Sequence, residues 1–223
     1  MKAVLFDMDG VLYDSMPSHV KAWHDTMAEF GVVSSPEEFY LFEGRTGAST
    51  INLLFNRTFQ RNATQEEIER IYATKSQKFI DLEKNRSRPM PGALEVLQRV
   101  KTMGLQRIIV TGSGQKSLFD KIENDFPNIF SRDLMVTAYD VQFGKPHPEP
   151  YLMGLKKGNI RAEEALVVEN APLGVESAHQ AGIFTIAVNT GPLPDQVLLD
   201  AGANVLFPSM LALAENISDV LMR

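Results

Sequence analysis

The sequence has no cysteine among its 223 residues and only a single tryptophan. The absence of cysteine excludes disulfide bonds, zinc–thiolate sites and cysteine nucleophiles, so any bound metal ion must be held by oxygen or imidazole ligands. Positive charge is scarce as well, because the formal net charge is −6 and the isoelectric point is near 5.3. Nucleic-acid binding, which depends on a basic surface, is therefore not expected.

Long apolar stretches are also missing. No run approaches the roughly 20 residues that a membrane-spanning helix needs. We therefore expect a cytoplasmic protein without membrane contact, and a monomer. The hydrophobic content of 44% is nevertheless sufficient for a substantial core.

What the chain does contain is an alternation of short apolar strands and amphipathic helices. The run 3–6, closed by Asp7, is typical of a parallel strand that is buried on both faces. The same reasoning predicts further strands at 107–110, 134–137, 165–168 and 183–188, and helices near 94–100, 115–125, 149–157 and 173–181. This alternation predicts an α/β fold, with a Rossmann-like parallel sheet between two helical layers.

A helical block interrupts this alternation after the first strand. Apolar spacing predicts a helix from Ser15 to about residue 30, where Ser15 is expected to cap the helix or face solvent. A second helix is predicted at 64–80, where Thr64 and Glu67 form a capping box. We therefore predict a core domain of residues 1–14 and 86–223, an inserted helical domain of residues 15–85, and hinges near 13–16 and 81–90.

Polar side chains follow the predicted strands at the points where the strands end. Asp7 and Asp9, which are separated by one residue, follow the first strand, and Thr111, Gly112 and Ser113 follow the second. The carboxyl ends of parallel strands meet at one edge of a sheet, so these side chains are expected to converge. Two close carboxylates require a cation, and oxygen ligands suit Mg²⁺. Taken alone, Asp7 and Asp9 are equally compatible with a strand followed by an Asp-Gly turn.

Three more polar residues occupy similar positions further along the chain. Lys145 precedes a proline in a short loop, where its charge can offset carboxylates or a phosphoryl group. Glu169 and Asn170 end another strand and precede a helix that has proline in its first turn. Considered one at a time, Lys145 also fits an ordinary solvated lysine, and Asn170 also fits an ordinary helix N-cap.

Together, the stretches 4–12, 110–113, 144–146 and 168–175 resemble the four motifs of the haloacid-dehalogenase superfamily, and the whole chain resembles its β-phosphoglucomutase-like group. The resemblance implies a helical cap of the C1 type over the core. It also implies that Asp7 attacks phosphorus and becomes phosphorylated, while Asp9 protonates the leaving group and then activates water. A raised pKa is expected for Asp9, since it must act as an acid.

The same resemblance implies roles for the remaining motif residues. Mg²⁺ would be held by the Asp7 carboxylate, the Asp9 carbonyl and Asn170, with Glu169 acting indirectly or through water. Thr111 and Lys145 would bind phosphoryl oxygens, together with the loop residues Gly112 and Ser113.

The predicted loop 42–47 of the helical block differs from β-phosphoglucomutases, in which basic residues hold a second phosphate. Here Glu43 and Gly47 replace such residues, and Glu43 is a candidate for compensating the missing charge at Asn170. Arg45 is a candidate for binding phosphate. His19, in the first helix of the block, is a candidate for assisting proton transfer at the substrate.

The favoured function is Mg²⁺-dependent hydrolysis of a small phosphorylated substrate through a phospho-aspartate. Pyrophosphate is the preferred case, since the chain also resembles the inorganic pyrophosphatases of this superfamily. One alternative is a phosphotransferase that interconverts hexose phosphates. A second is a catalytically silent, phosphate-binding regulatory module.

Overall fold

The computed structural model describes residues 1–84, 88–114 and 118–222, and its centre is a six-stranded sheet in which all strands are parallel. The strands are β1 (Ala3–Phe6), β2 (Gln106–Val110), β3 (Met135–Val136), β4 (Ala165–Glu169), β5 (Phe184–Val188) and β6 (Val205–Phe207). Their spatial order is β3-β2-β1-β4-β5-β6, which puts β1 in the middle. The predicted α/β fold is confirmed.

Helices cover both faces of this sheet. They are α5 (Ala93–Thr102), α6 (Leu118–Asp125), α7 (Glu149–Gly158), α8 (Pro172–Gln180), α9 (Asp195–Asp200) and α10 (Met210–Leu221). Alternate residues of β1 enter different cores: Val4 and Phe6 pack with α5, α6 and α10, whereas Leu5 packs with α7 and α8. This alternation produces three layers and explains why β1 is apolar at every position.

Among the described residues between β1 and α5 there are four helices, in the part of the chain where a helical block is predicted. They are α1 (Met16–Glu29), α2 (Glu38–Leu41), α3 (Gly47–Phe59) and α4 (Gln65–Glu83). They enclose a hydrophobic cluster of their own, centred on the fully buried residues Met27, Ile51, Leu54 and Ile71. The capping box of Thr64 and Glu67 is present at the start of α4. The exact domain boundaries remain a prediction.

The chain segments that enter and leave this block run side by side. The Asp14 amide donates to the Arg88 carbonyl at 3.1 Å, and the Met90 amide donates to the Leu12 carbonyl at 2.8 Å. Both pairs lie within or beside the predicted hinges. Residues 85–87 of the second hinge lie outside the described residues, as do residues 115–117 of the predicted helix at 115–125.

Several elements were not predicted. Strand β6 and helices α9 and α10 follow the last predicted strand, and α3 begins at Gly47, which had been assigned to a loop. Among the described residues, every helix is too short or too polar to cross a lipid bilayer.

Candidate active site

The carboxyl end of the central strand places Asp7 at the middle of the candidate site. Phe6 of β1 is paired with Ile109 of β2 on one side and Val168 of β4 on the other. The Asp7 amide continues this ladder by donating to the Val168 carbonyl at 3.0 Å. The ends of three adjacent strands therefore converge, so residues more than 160 positions apart in the chain can meet at one edge.

Lys145 lies directly against Asp7. Its Nζ is 2.5 Å from Asp7 Oδ1 and 2.6 Å from Glu169 Oε1, and the Lys145 side chain is buried. Burial alone would lower the pKa of Lys145, but Asp7 and Glu169 outweigh it and raise that pKa. Burial raises the pKa of Asp7 to about 8, against the opposing effect of Lys145. Lys145 therefore remains charged and holds the carboxylate of Asp7 in place.

Asn170 and Glu43 meet above this pair. The Asn170 Nδ2 donates to both carboxylate oxygens of Glu43, at 3.1 and 3.2 Å, which brings the α2–α3 loop to the end of β4. Gly10 allows Asn170 to approach this closely, because a Cβ at residue 10 would lie 2.0 Å from Asn170 Nδ2. Burial raises the pKa of Glu43 well above its usual range, and Asp7 and Glu169 add to this effect.

The side-chain oxygens of Asp7, Asn170 and Glu43 are suitable ligands for a hard divalent cation. Within the described residues, the Asn170 Oδ1 atom is buried without a hydrogen-bond partner, beside carboxylates that raise one another's pKa. A cation would give the Asn170 oxygen a partner and would offset the repulsion between the carboxylates. Among those same residues, no group of three or more acidic or histidine side chains forms a ready-made metal cage. Mg²⁺ is usually held by one or two carboxylates with water and substrate oxygens, so the oxygens of Asp7, Glu43 and Asn170 fit it.

Asp9 has a different environment from Asp7. Ser15 Oγ donates to Asp9 Oδ1 at 2.5 Å, and His19 Nε2 lies 3.2 Å from the same oxygen. Lys75 Nζ lies 2.7 Å from His19 Nδ1. Since the lysine donates to Nδ1, the imidazole hydrogen is on Nε2 and is directed at Asp9.

This network contradicts the expected raised pKa of Asp9. Burial does raise it, but His19, the Ser15 hydrogen bond and Lys75 outweigh burial and lower the pKa of Asp9 to about 2. The expectation was wrong because it was inferred from the acid role alone and took no account of the donors that the helical block supplies. Ser15, expected to cap α1 or face solvent, instead donates its hydroxyl to Asp9 and makes no side-chain capping bond.

Lys75 was not predicted as a site residue. Burial lowers its pKa to about 8, and its side chain is buried among the helices of the block. The sequence did contain a signal, because residues 68, 71, 75 and 79 share one face of α4 and three of them are apolar. A lysine on an apolar helix face needs a polar partner, which here is His19.

The loop after β2 lies beneath the α2–α3 loop. Thr111 Oγ1 accepts from the Ser113 amide at 3.1 Å, which shapes the loop predicted to bind phosphate. A Cβ at Gly112 would be 3.4 Å from the Gly44 carbonyl oxygen, and one at Gly144 would be 2.8 Å from Thr46 Cγ2. The two loops therefore approach each other closely because both core positions are glycine.

A small cavity of about 90 Å³ lies between the sheet edge and the helical block. Its lining brings together most of the predicted residues with others that were not predicted. The predicted residues in the lining are Asp7, Asp9, His19, Glu43, Arg45, Thr111, Gly112 and Ser113. Lining residues that were not predicted include Trp23, Tyr72 and Lys75. Within the described residues the Arg45 Nε is buried without a partner. Lys145, Glu169 and Asn170 support the floor of the site from outside this lining.

A parallel sheet that presents a lysine-paired aspartate at its carboxyl edge, under a helical block, indicates an α/β enzyme with a capped active site. Residues 4–188 match the model of the haloacid dehalogenase-like hydrolase family. The chain belongs to this family and is an enzyme of its phosphatase type. The match includes the helical block and the strands of the sheet except β6, which lies beyond residue 188.

Individual relatives cover nearly the full length. The chain is 30% identical over 208 residues to "Phosphorylated carbohydrates phosphatase" of Thermotoga maritima, covering 92% of this chain and 94% of the relative. It is 31% identical over 191 residues to "Hexitol phosphatase A" of Escherichia coli, covering 84% and 83%. A more distant similarity, 28% over 88% of this chain and 85% of the relative, is to "Putative pyrophosphatase PpaX" of Caldanaerobacter subterraneus.

A solved structure is also similar. It is described as "Putative beta-phosphoglucomutase from Bacteroides vulgatus", is 55% identical and superposes with a TM-score of 0.95. The similarity covers 100% of this chain and 89% of the other. The chain is therefore placed in the β-phosphoglucomutase-like part of the family.

Proposed function

We propose that this protein is a Mg²⁺-dependent phosphohydrolase that forms a phospho-aspartate on Asp7. The observation that carries the proposal is the convergence of Asp7 with Lys145 at the sheet edge, where Asn170 and Glu43 meet. A buried lysine beside a carboxylate and next to a loop that is predicted to bind phosphate suits phosphoryl transfer through a covalent intermediate. Mg²⁺, held by Asp7, Asn170 and Glu43, would supply charge neutralisation at the phosphoryl oxygens.

Two displacements at phosphorus account for the hydrolysis. In the first, an Asp7 oxygen forms a bond to phosphorus while the bond to the leaving oxygen breaks. In the second, water forms a bond to the same phosphorus and gives a proton to Asp9, while the bond between phosphorus and the Asp7 oxygen breaks. Inorganic phosphate leaves, and Asp9 releases the proton to solvent. His19 and Ser15 keep Asp9 ionised, so it has a free position for this proton. Thr111 and Lys145 orient the transferred group.

Pyrophosphate is the substrate that we favour. The cavity of about 90 Å³ is far below the roughly 300 Å³ of a pocket for a larger organic ligand. Its cap side presents the cations Arg45 and Lys75, which complement a leaving phosphate better than the hydroxyl groups of a sugar. An ionised Asp9 has no proton to give to the leaving oxygen. Phosphate departs without a proton more readily than an alkoxide does, so the ionised state of Asp9 slows the cleavage of pyrophosphate less than that of a sugar phosphate.

A hexose-phosphate phosphotransferase is the second candidate, because the similar Bacteroides vulgatus structure is described as a β-phosphoglucomutase. The relatives described as sugar-phosphate phosphatases support a third group of substrates, the phosphorylated carbohydrates. Steady-state assays with Mg²⁺ separate them: pyrophosphate and sugar phosphates are followed by phosphate release, and β-glucose 1-phosphate by isomerisation. The proposal expects kcat/KM to be highest for pyrophosphate. Fast isomerisation without phosphate release would replace it with the phosphotransferase.

The control for this screen is Asp7→Asn, which keeps the shape of the site but removes the nucleophile. Phosphate release must fall to background in this variant. If the unmodified protein is inactive on every small phosphate, the chain is instead a silent phosphate-binding module.

A further inference from the structure

Tyr151 is a fully buried tyrosine that contacts the site from below. It belongs to α7, and its hydroxyl donates to Glu169 Oε1 at 2.8 Å. The Lys145 ammonium lies over the Tyr151 ring, 5.1 Å from its centroid. The phenol therefore contacts both members of the pair that holds Asp7, although no motif includes it.

Glu169 is the residue through which Tyr151 can act. Glu169 Oε1 accepts from the Tyr151 hydroxyl and from Lys145 Nζ, and Oε2 accepts from the backbone amides of Asn170 and Ala171 at 2.9 and 3.1 Å. A Cβ at Gly174 would lie 1.8 Å from Oε1, so the first turn of α8 closes the remaining side. A carboxylate has about four acceptor sites, and protein donors fill all of them here.

Because all four acceptor positions of the Glu169 carboxylate are occupied, its possible roles in the site are limited. Its oxygens have no free acceptor site to offer a cation, so it acts on the site through Lys145 and the Asn170 backbone. A carboxylate with two donors on each oxygen is also fixed in orientation. The Tyr151 hydroxyl is the one of these donors that comes from neither the β4–α8 segment nor the β3–α7 loop.

We propose that Tyr151 is a positioning residue for phosphoryl transfer: through Glu169 it fixes the Lys145 ammonium against Asp7. This inference rests on the proposed function of Asp7 and Lys145. Without the hydroxyl, Glu169 Oε1 would retain only the lysine as a partner, and the pair could shift together away from Asp7. A tyrosine needed only for packing would be replaceable by phenylalanine, which fills the same space.

The test compares Tyr151→Phe with Thr185→Val, a matched control. Thr185 is also fully buried, and its hydroxyl donates to the Ile183 carbonyl at 3.0 Å within the sheet, away from the site. Both variants thus lose one buried hydroxyl hydrogen bond. We expect similar decreases in Tm, but only Y151F should lower kcat, by about 10-fold to 100-fold, with KM changed less than about threefold.

A binding measurement separates positioning from turnover. Beryllium trifluoride with Mg²⁺ mimics a phosphoryl group on an aspartate, and the fluorescence of Trp23, the single tryptophan, can follow its binding at the cavity. Its affinity should fall about 10-fold in Y151F and stay unchanged in T185V. In Glu169→Gln, adding Y151F should cause little further loss, because both changes disable the same contact.

The outcomes are distinct. If Y151F matches T185V within about twofold in both kcat and analogue affinity, the inference is wrong while the proposed function stands. Additive losses in the double variant would show that Tyr151 does not act through Glu169. If the unmodified protein neither releases phosphate nor binds the analogue, the proposed function fails and the inference fails with it.

Discussion

At the residue scale, the two aspartates of the first motif have opposite electrostatic environments. Burial raises the pKa of Asp7 to about 8, whereas hydrogen-bond donors from the helical block lower the pKa of Asp9 to about 2. The burial that raises the pKa of Asp7 favours its protonated form, so its ionisation depends on the positive charge of Lys145 and of a bound Mg²⁺, whereas Asp9 is ionised without a metal ion. In the proposed mechanism, Asp7 is the nucleophile and is held by Lys145, and Asp9 is the base and receives hydrogen bonds from Ser15 and His19.

Asp9→Asn separates binding from chemistry. The amide keeps the size of the side chain and the backbone carbonyl, so Mg²⁺ and substrate should still bind. Turnover should fall by at least about 100-fold, because the variant has no base for the attacking water. Isothermal titration with Mg²⁺ and steady-state kinetics measure the two effects. A variant that retains more than half of kcat would contradict the role of Asp9.

Lys75→Met tests whether a buried charge is maintained at the expense of stability. The pKa of Lys75 falls from its ordinary 10.5 to about 8, which at about 1.4 kcal/mol per unit destabilises the fold by up to roughly 3 kcal/mol below pH 8. K75M should therefore be more stable than the parent at pH 7 and less active, since His19 loses its partner.

The sign of the pH dependence follows from the same shift. Between pH 8 and 10.5 the unfolded chain binds the proton that the folded chain has released, so the parent gains stability as pH rises. K75M should lack this gain in urea unfolding at pH 7 and pH 10. Lys78→Met is the control, because Lys78 lies on the same helix but pairs with Glu29 in an exposed contact. Equal pH profiles for parent and K75M would refute the assignment.

At the element scale, the fit between the α2–α3 loop and the core loops depends on small residues. A Cβ at Gly144 would lie 2.8 Å from Thr46 Cγ2 but no closer than 3.4 Å to any backbone atom. Gly144→Ala should therefore prevent close docking of the cap loop and lower kcat/KM about 10-fold or more, while Tm changes little.

The loss of activity expected in Gly144→Ala should be reversed by removing the methyl group of Thr46. Thr46→Ser removes Cγ2 but keeps the hydroxyl, which accepts from the Ser49 amide at 3.3 Å and caps α3. The double variant G144A/T46S should recover most of the lost kcat/KM. Absence of recovery would mean that the loss in G144A does not arise from this contact.

The sequence predicted some elements better than others, for physical reasons. Strand β1 was predicted at its observed bounds because it is buried on both faces and apolar throughout. Strand β6 was missed because it has three half-buried residues at the sheet edge. Helix α3 begins with Gly-Ala-Ser-Thr, in which every residue except alanine is a weak helix former, and the helix is stabilised by packing of Ile51, Leu54 and Phe55.

The same distinction applies to the site. The meeting of Asp7 and Asn170 could be predicted because each follows the end of a parallel strand, whereas Lys145 lies in the loop between β3 and α7 and was predicted from the motif resemblance. The donors to Asp9 and the Tyr151 contact with Glu169 could not, because they depend on how α1, α4 and α7 pack. Local pattern gives the position of a side chain along an element, whereas tertiary packing decides which side chains it meets.

At the scale of the whole molecule, Glu43 and Asn170 link the helical block to the sheet. If Mg²⁺ binds between them, its affinity depends on both parts of the chain. Chelation by EDTA should abolish turnover, and Glu43→Gln should raise the Mg²⁺ concentration for half-maximal activity about 10-fold. Adding Asn170→Asp to this variant restores the negative charge and should lower that concentration again. An unchanged Mg²⁺ requirement in E43Q would exclude Glu43 as a ligand.

The central claim is that Asp7 carries the phosphoryl group during turnover. Rapid acid quenching with excess substrate and Mg²⁺, followed by mass spectrometry of the peptide that contains Asp7, tests it most directly. The account predicts a phosphate on Asp7 within the first turnover and none in Asp7→Asn. Phosphate release at the normal rate from an Asp7→Asn protein, with no modified peptide in the parent, would contradict it.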